Sequence, residues 1–131
     1  MTDQKLIQAA LEMTKRSYAP YSGYHVGCAI LGTDGNVYTG CNVESASFGA
    51  TLCAERSAIA NAVSSGCRSF LKAAVISDHS AIWTPCGICR QLFYEFSPEM
   101  EILCCSPDGR MESYSIADLL PHGFGGTSME V

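Results

Sequence analysis

Apolar positions recur at helical spacing at Leu6, Ile7, Ala10 and Leu11, with Thr2 or Asp3 available as N-cap and Lys15 and Arg16 suited to the negative end of the dipole. This predicts a first amphipathic helix. The segment Ala19-Pro20-Tyr21-Ser22-Gly23-Tyr24 cannot continue it. Residues 26–31 and 36–41 then read as two strands joined by the turn Gly32-Thr33-Asp34-Gly35, a hairpin. From 53 to 65 the small residues Ala54, Ala58, Ile59, Ala62 and Val63 fall three and four apart, and Gly66 supplies a stop. An alanine-rich helix of this kind packs closely against a sheet.

Residues 71–77 form a continuous run rich in β-branched side chains, the pattern of a strand buried on both faces. Helical period returns over 86–96 with Leu92, Phe93 and Phe96 inward, and 102–105 is another short buried strand. The turn Ser106-Pro107-Asp108-Gly109 leads into a polar strand at 111–114, a short helix at 116–120 and a glycine-bearing tail. Strands alternating with helices predict a three-layer α/β/α sandwich around a mixed, roughly five-stranded central sheet, with residues 1–131 as one domain.

Composition narrows the function. With 47% hydrophobic and 16% charged residues in 131, the chain can bury one real core. The net charge of −5 and the lack of any Lys/Arg run argue against nucleic acid or an anionic membrane as partner. No uncharged N-terminal run suits a signal peptide and no apolar stretch approaches the roughly 20 residues of a membrane span, so the expectation is a cytoplasmic protein. In that compartment eight cysteines point to metal ligands, catalytic groups or small buried residues before disulfides.

Three of the eight stand at helix starts: Cys53, and the pair Cys86 and Cys89 three residues apart. Free N–H groups and the positive end of the dipole favour thiolate there, the form that binds metal. Pro85 before Cys86 suits a first helical turn. Three protein ligands leave one tetrahedral position for water, as in catalytic zinc sites, whereas structural sites are closed with four. Glu55 lies two residues after Cys53, close enough to act as proton carrier beside the metal. Zinc deaminases carry this arrangement, a Cys₃ or His/Cys/Cys zinc with a Glu that is not a ligand, in an H-x-E…P-C-x-x-C signature; here Cys53 stands in the place of the His. Cys28, Cys41, Cys67, Cys104 and Cys105 lack a companion acid or base and read as small apolar residues, and His25, His79 and His122 are isolated.

Five motifs in order, Tyr18-Ala19-Pro20-Tyr21-Ser22, Gly40-Cys41-Asn42-Val43-Glu44, Cys53-Ala54-Glu55-Arg56, Pro85-Cys86-Gly87-Ile88-Cys89-Arg90-Gln91 and Leu119-Leu120-Pro121, resemble the small homotetrameric class of cytidine deaminases from Tyr18 to about Phe124. The resemblance implies hydrolytic deamination of cytidine and 2′-deoxycytidine to the uridines with loss of ammonia, in pyrimidine salvage. It implies one zinc per chain on Cys53, Cys86 and Cys89, Glu55 as the proton-transferring group, and a nucleoside as substrate. Three thiolates and Zn²⁺ sum to −1, and the resemblance gives Arg56 the task of offsetting that charge by hydrogen bonds to the sulfurs. Asn42 and Glu44 match the pair that binds the sugar hydroxyls. Ala54 offers its backbone to the pyrimidine, Tyr24 lies against the base, and Ala46 and Phe48 fall in the substrate-binding stretch. Phe124 matches the aromatic that a neighbouring subunit lends to the pocket. Two departures affect the sugar end: Ser45 stands for the usual asparagine and Phe48 for a tyrosine.

Other classes make different use of the same residues. A thiol-disulfide oxidoreductase would use Cys86 and Cys89 alone, leaving Cys53-Ala54-Glu55-Arg56 without a role. A structural-zinc interaction module needs a fourth ligand. A blasticidin-S-type deaminase shares the zinc motifs, but Arg56 and the stretch from Asn42 to Ser47 are more similar to cytidine deaminase.

Overall fold

The computed structural model describes residues 1–125. Helix α1 (Asp3–Met13) opens the chain, and Thr2 Oγ1 caps it by accepting from the Lys5 N–H at 3.2 Å. That satisfies one of the N–H groups a helix start leaves without an intrahelical partner. A 3₁₀ turn, Thr14–Arg16, follows, so Lys15 and Arg16 lie beyond the α-helix and not in its last turn as expected. Strands β1 (Val26–Gly32) and β2 (Val37–Cys41) pair antiparallel with Leu31 opposite Val37. Their turn depends on Gly35 at φ +84°, whose N–H donates to the Gly32 carbonyl at 3.0 Å.

Helix α2 (Ala54–Ser64) ends at Gly66, φ +97°. The Gly66 N–H reaches the Val63 carbonyl at 3.0 Å and the Cys67 N–H reaches that of Ala62 at 2.9 Å, the two bonds of a Schellman stop. Strand β3 (Phe70–Ser77), helix α3 (Gly87–Phe96), strands β4 (Glu101–Cys105) and β5 (Met111–Ser115) and helix α4 (Ile116–Leu119) complete the described chain. The sheet order is β2-β1-β3-β4-β5. Only β3 and β4 run parallel, because α3 between them makes the crossover a parallel pair requires.

The two-residue period of the strands sorts side chains into two cores. Cys28, Ile30, Ala73, Val75, Ile102 and Cys104 face Ala54, Ala58 and Ile59 of α2, Phe93 of α3 and Ile116 of α4. Ala29, Ala74, Ile76, Leu103 and Cys105 face Leu6 and Ala10 of α1. The expected α/β/α sandwich with a mixed five-stranded sheet is therefore present. One detail differs: Leu71, expected in the doubly buried strand, is exposed, and burial on both faces begins at Ala73.

Helix α2 sits very close to β2. A Cβ on Gly40 would lie 2.3 Å from the Ala58 nitrogen and 2.7 Å from the Ala54 oxygen, so only glycine admits the contact.

Candidate active site

Two helix N-termini converge at one end of the larger core. Cys53 is the N-cap of α2 and Cys86 the N-cap of α3, and neither side chain makes a capping hydrogen bond. Cys89 is buried in the first turn of α3. Pro85 lies one residue before the N-cap and not at the first helical position. The Cys53 and Cys86 sulfurs are 3.9 Å apart and those of Cys86 and Cys89 3.6 Å, with all three inside 4.8 Å of one another. A tetrahedral zinc with Zn–S bonds of about 2.3 Å separates its sulfurs by about 3.8 Å, so the cluster fits one zinc ion. Among the described residues the cluster holds these three ligand groups and no fourth.

Arg56 lies against this cluster. Its Nη2 donates to Cys53 Sγ at 3.7 Å and to the Thr51 carbonyl at 2.9 Å. A hydrogen bond from Cys89, then others from Arg56 and Cys86, bring the Cys53 thiol down to about 5 against the opposing effect of burial. The same bond to Cys53, together with burial, pushes Cys89 up. Negative charge therefore gathers on Cys53, nearest the guanidinium.

Glu55 is only 2% exposed, in the first turn of α2. Burial pushes its carboxyl up to about 7, and the charge on Cys53 adds to this; its own backbone N–H, Cys89 and Arg56 act the other way. A carboxyl poised near neutrality can both take and give a proton.

Glu55, Cys53 and Cys86 line a cavity of about 500 Å³, the size of small-ligand sites. Asn42 and Glu44 line it too, just beyond the end of β2. Asn42 Oδ1 accepts from the Val26 N–H at 2.9 Å and from the Ser17 hydroxyl, and its Nδ2 donates to the Tyr24 carbonyl at 2.7 Å. Glu44 Oε1 accepts from the N–H groups of Tyr21 and Ser22 at 3.0 and 3.1 Å, and Oε2 from the Ser22 hydroxyl. These bonds, the Ser22 hydroxyl first, hold its carboxyl below the usual range. Counting hydrogen-bonding capacity, Asn42 keeps one N–H and Glu44 Oε2 one acceptor position. A single hydroxyl group can use both.

Of the other residues expected at the site, Ala54 and Tyr24 line the cavity. Three do not. Ala46 is exposed away from it, Phe48 is 78% exposed on a shallower neighbouring groove beside Tyr21, and Phe124 is exposed and held through its backbone by Gln91. Ser22 and Arg90, which stand in the sequence motifs without an assigned role, and Trp83, which stands in none of the five, also line the cavity. Arg90 ties the ligand loop in place, donating from Nε to the Pro85 carbonyl at 2.7 Å and from Nη1 to that of Leu119 at 3.0 Å. Its position directly after Cys89 was the available signal. The remaining five cysteines are free, and the expectation that all five lack a companion acid fails at Cys67, whose thiol hydrogen-bonds the Asp34 carboxylate beside the β1–β2 turn. Burial raises the Cys28 and Cys41 thiols, Cys104 to about 12 and Cys105 to about 11.

The family model described as the cytidine and deoxycytidylate deaminase zinc-binding region matches residues 1–105. The chain belongs to the cytidine and deoxycytidylate deaminase family. It is 41% identical over 125 residues to the cytidine deaminase of Sporosarcina psychrophila, covering 95% of this chain and 92% of that one. It is 38% identical over 130 residues to that of Halalkalibacterium halodurans, covering 98% of both. The crystal structure of cytidine deaminase from Burkholderia pseudomallei superposes with a TM-score of 0.91 at 41% identity, covering 95% of this chain and all of the other. No helix among the described residues is long and apolar enough to cross a membrane.

Proposed function

We propose that the chain hydrolyses cytidine and 2′-deoxycytidine to uridine and 2′-deoxyuridine with release of ammonia. One observation carries the reading: a buried carboxyl, Glu55, lines one cavity with Cys53 and Cys86 of a three-sulfur cluster and with the Asn42–Glu44 pair. Cys53, Cys86 and Cys89 hold one zinc per chain. When bound, the ion supplies a Lewis acid that acidifies a water molecule for attack on the pyrimidine C4. Glu55 takes one proton of that water and gives it to ring N3. It then takes the proton of the new C4 hydroxyl and gives it to the amine, which leaves as ammonia as the C4–N bond breaks and the carbonyl forms. Arg56 offsets the excess negative charge of the thiolates.

Asn42 and Glu44 hold the sugar. One sugar hydroxyl that used both the spare Asn42 N–H and the spare Glu44 acceptor would let a 2′-deoxy sugar bind through its 3′-hydroxyl alongside ribose. Ala54 presents its backbone to the base and Tyr24 its ring. Ala46, Phe48 and Phe124 belong to the substrate pocket only when neighbouring copies close it, in a homotetramer; the exposed rings of Phe48 and Phe124 support this. Residues 1–131 act as one domain, in the cytoplasm, in pyrimidine salvage.

The test is zinc analysis together with ammonia release and the ultraviolet change on adding cytidine. One zinc per chain with turnover is expected. Zinc without turnover of any pyrimidine nucleoside would leave a structural module, and insulin reduction without zinc a thiol redox protein.

A further inference from the structure

Two large aromatic residues line the cavity together with the sulfurs and the Asn42–Glu44 pair: Tyr24, from the loop before β1, and Trp83, from the loop between β3 and α3. Their ring centroids are 5.9 Å apart with planes inclined at 38°, so the rings touch and form one surface, with no slot between them. His79, which does not line the cavity, lies on Tyr24 at 4.1 Å and 30°. Each ring is anchored through its backbone. The Tyr24 N–H donates to Ser22 Oγ at 3.0 Å and its carbonyl accepts from Asn42; the Trp83 N–H donates to the Cys105 carbonyl at 3.1 Å; the His79 N–H donates to Ser77 Oγ at 3.1 Å.

We infer that Trp83 is a specificity-determining residue: with Tyr24 it forms an aromatic wall on which the flat face of the nucleoside base lies, and His79 is the positioning residue that backs Tyr24. The inference rests on the nucleoside reading above and adds to it the residues that recognise the ring as planar. Tyr24 is bonded to Asn42 through its carbonyl and Trp83 stands three residues before Cys86, so the joined rings lead from the sugar grip toward the sulfurs, the course of a base whose sugar is held at Asn42 and whose C4 reaches Glu55. Polar groups at the two ends fix the sugar and the reacting carbon; the wall fixes the tilt of the ring between them. Stacking on it rewards a π-face and gives nothing to a puckered, saturated ring.

Trp83 is the only tryptophan of the chain, so the wall reports its own occupancy. Titrating the zinc-loaded enzyme with uridine is expected to change tryptophan fluorescence saturably, at concentrations matching the inhibition constant of uridine against cytidine turnover. Trp83→Ala is expected to raise KM for cytidine about tenfold with a smaller change in kcat, and Trp83→Phe to recover most of the loss. His79→Ala raises KM about threefold and His79→Phe restores it. Inhibition by 5,6-dihydrouridine, whose ring is saturated, separates recognition from mere support. In the unmodified enzyme uridine is the better inhibitor, and in Trp83→Ala the two converge, with one zinc per chain retained. A purely structural role weakens both inhibitors equally and overturns the inference, as does fluorescence that stays unchanged at inhibiting uridine concentrations. Failure of the unmodified, zinc-loaded enzyme to turn over cytidine would instead refute the reading on which the wall depends.

Discussion

Helix α1 and helices α2 and α3 begin in opposite ways. Thr2 spends its hydroxyl on the Lys5 N–H, so the first turn of α1 is closed and chemically silent. Cys53 and Cys86 occupy the same N-cap position in α2 and α3 and make no such bond. Thiols are weak acceptors, and cysteine is a poor cap beside Thr, Ser or Asp. The loss is local stability. What it leaves is two positive helix ends facing a shared cluster of sulfurs, where the dipole supports thiolate and the metal it binds. The contrast teaches that a poor cap, twice and in contact, is a functional signature.

The most forceful way to break that comparison is Cys53→Ser. Serine restores a capping oxygen, so the metal-free variant should gain about 1 kcal/mol in a denaturant melt while zinc content and deamination fall to background. A variant that is less stable and still active would defeat the contrast. Next comes Glu55→Gln, which keeps the volume and removes the proposed proton carrier. Turnover should fall by at least about 10² to 10⁴-fold with zinc still bound by metal analysis, and near-normal activity would remove Glu55 from the chemistry. Arg56→Ala sharpens the electrostatic half of the argument: zinc affinity and turnover should each weaken by about 10- to 100-fold, read by competition with a chelator and by rate. Thr2→Ala, at the silent helix, should cost about 1 kcal/mol in the same melt and leave kcat/KM unchanged.

The smallest effect concerns thiols remote from the helix starts. Burial raises Cys104 to about 12 and Cys105 to about 11, whereas the unfolded chain ionises its thiols near the ordinary value of 9.0. The folded state then binds more protons than the unfolded one between those limits. Their contribution is full below about pH 9 and is lost as pH climbs through 11 and 12. Melts across that range should slope downward, less steeply in Cys104→Ala, and iodoacetamide at pH 8 should leave both residues unmodified in the folded protein.

Much of this was legible in the sequence because it is local. The apolar strand at 26–31 and the three-and-four spacing of Ala54, Ala58 and Ala62 survive into β1 and α2 nearly intact. The cysteine trio, Glu55 and Arg56 were readable because ligand spacing and helix starts leave marks on neighbouring residues. Trp83 left none: it sits in an irregular loop, and only the pairing of β1 with β3 brings that loop and the one bearing Ser22 to one cavity. Phe48 shows the opposite limit. Its motif placed it with the substrate, yet its 3₁₀ turn (Phe48–Ala50) leaves the ring exposed in a single chain. Lys15 and Arg16 were off by one turn because the chain tightens to 3₁₀ before leaving α1, which apolar spacing does not register.

The missing side chain at Gly40 has a further consequence. Because α2 rests on the backbone of β2 there, no flexible atom lies between them to take up slack. Asn42 follows two residues along from that contact, and Cys53 heads the helix on its other side. The interval from the hydroxyl grip to the sulfurs is therefore a gauge of fixed length, cut in main chain. On the proposed function a nucleoside would be measured along it from sugar to reacting carbon, with the tolerance of that measurement set by a hydrogen atom.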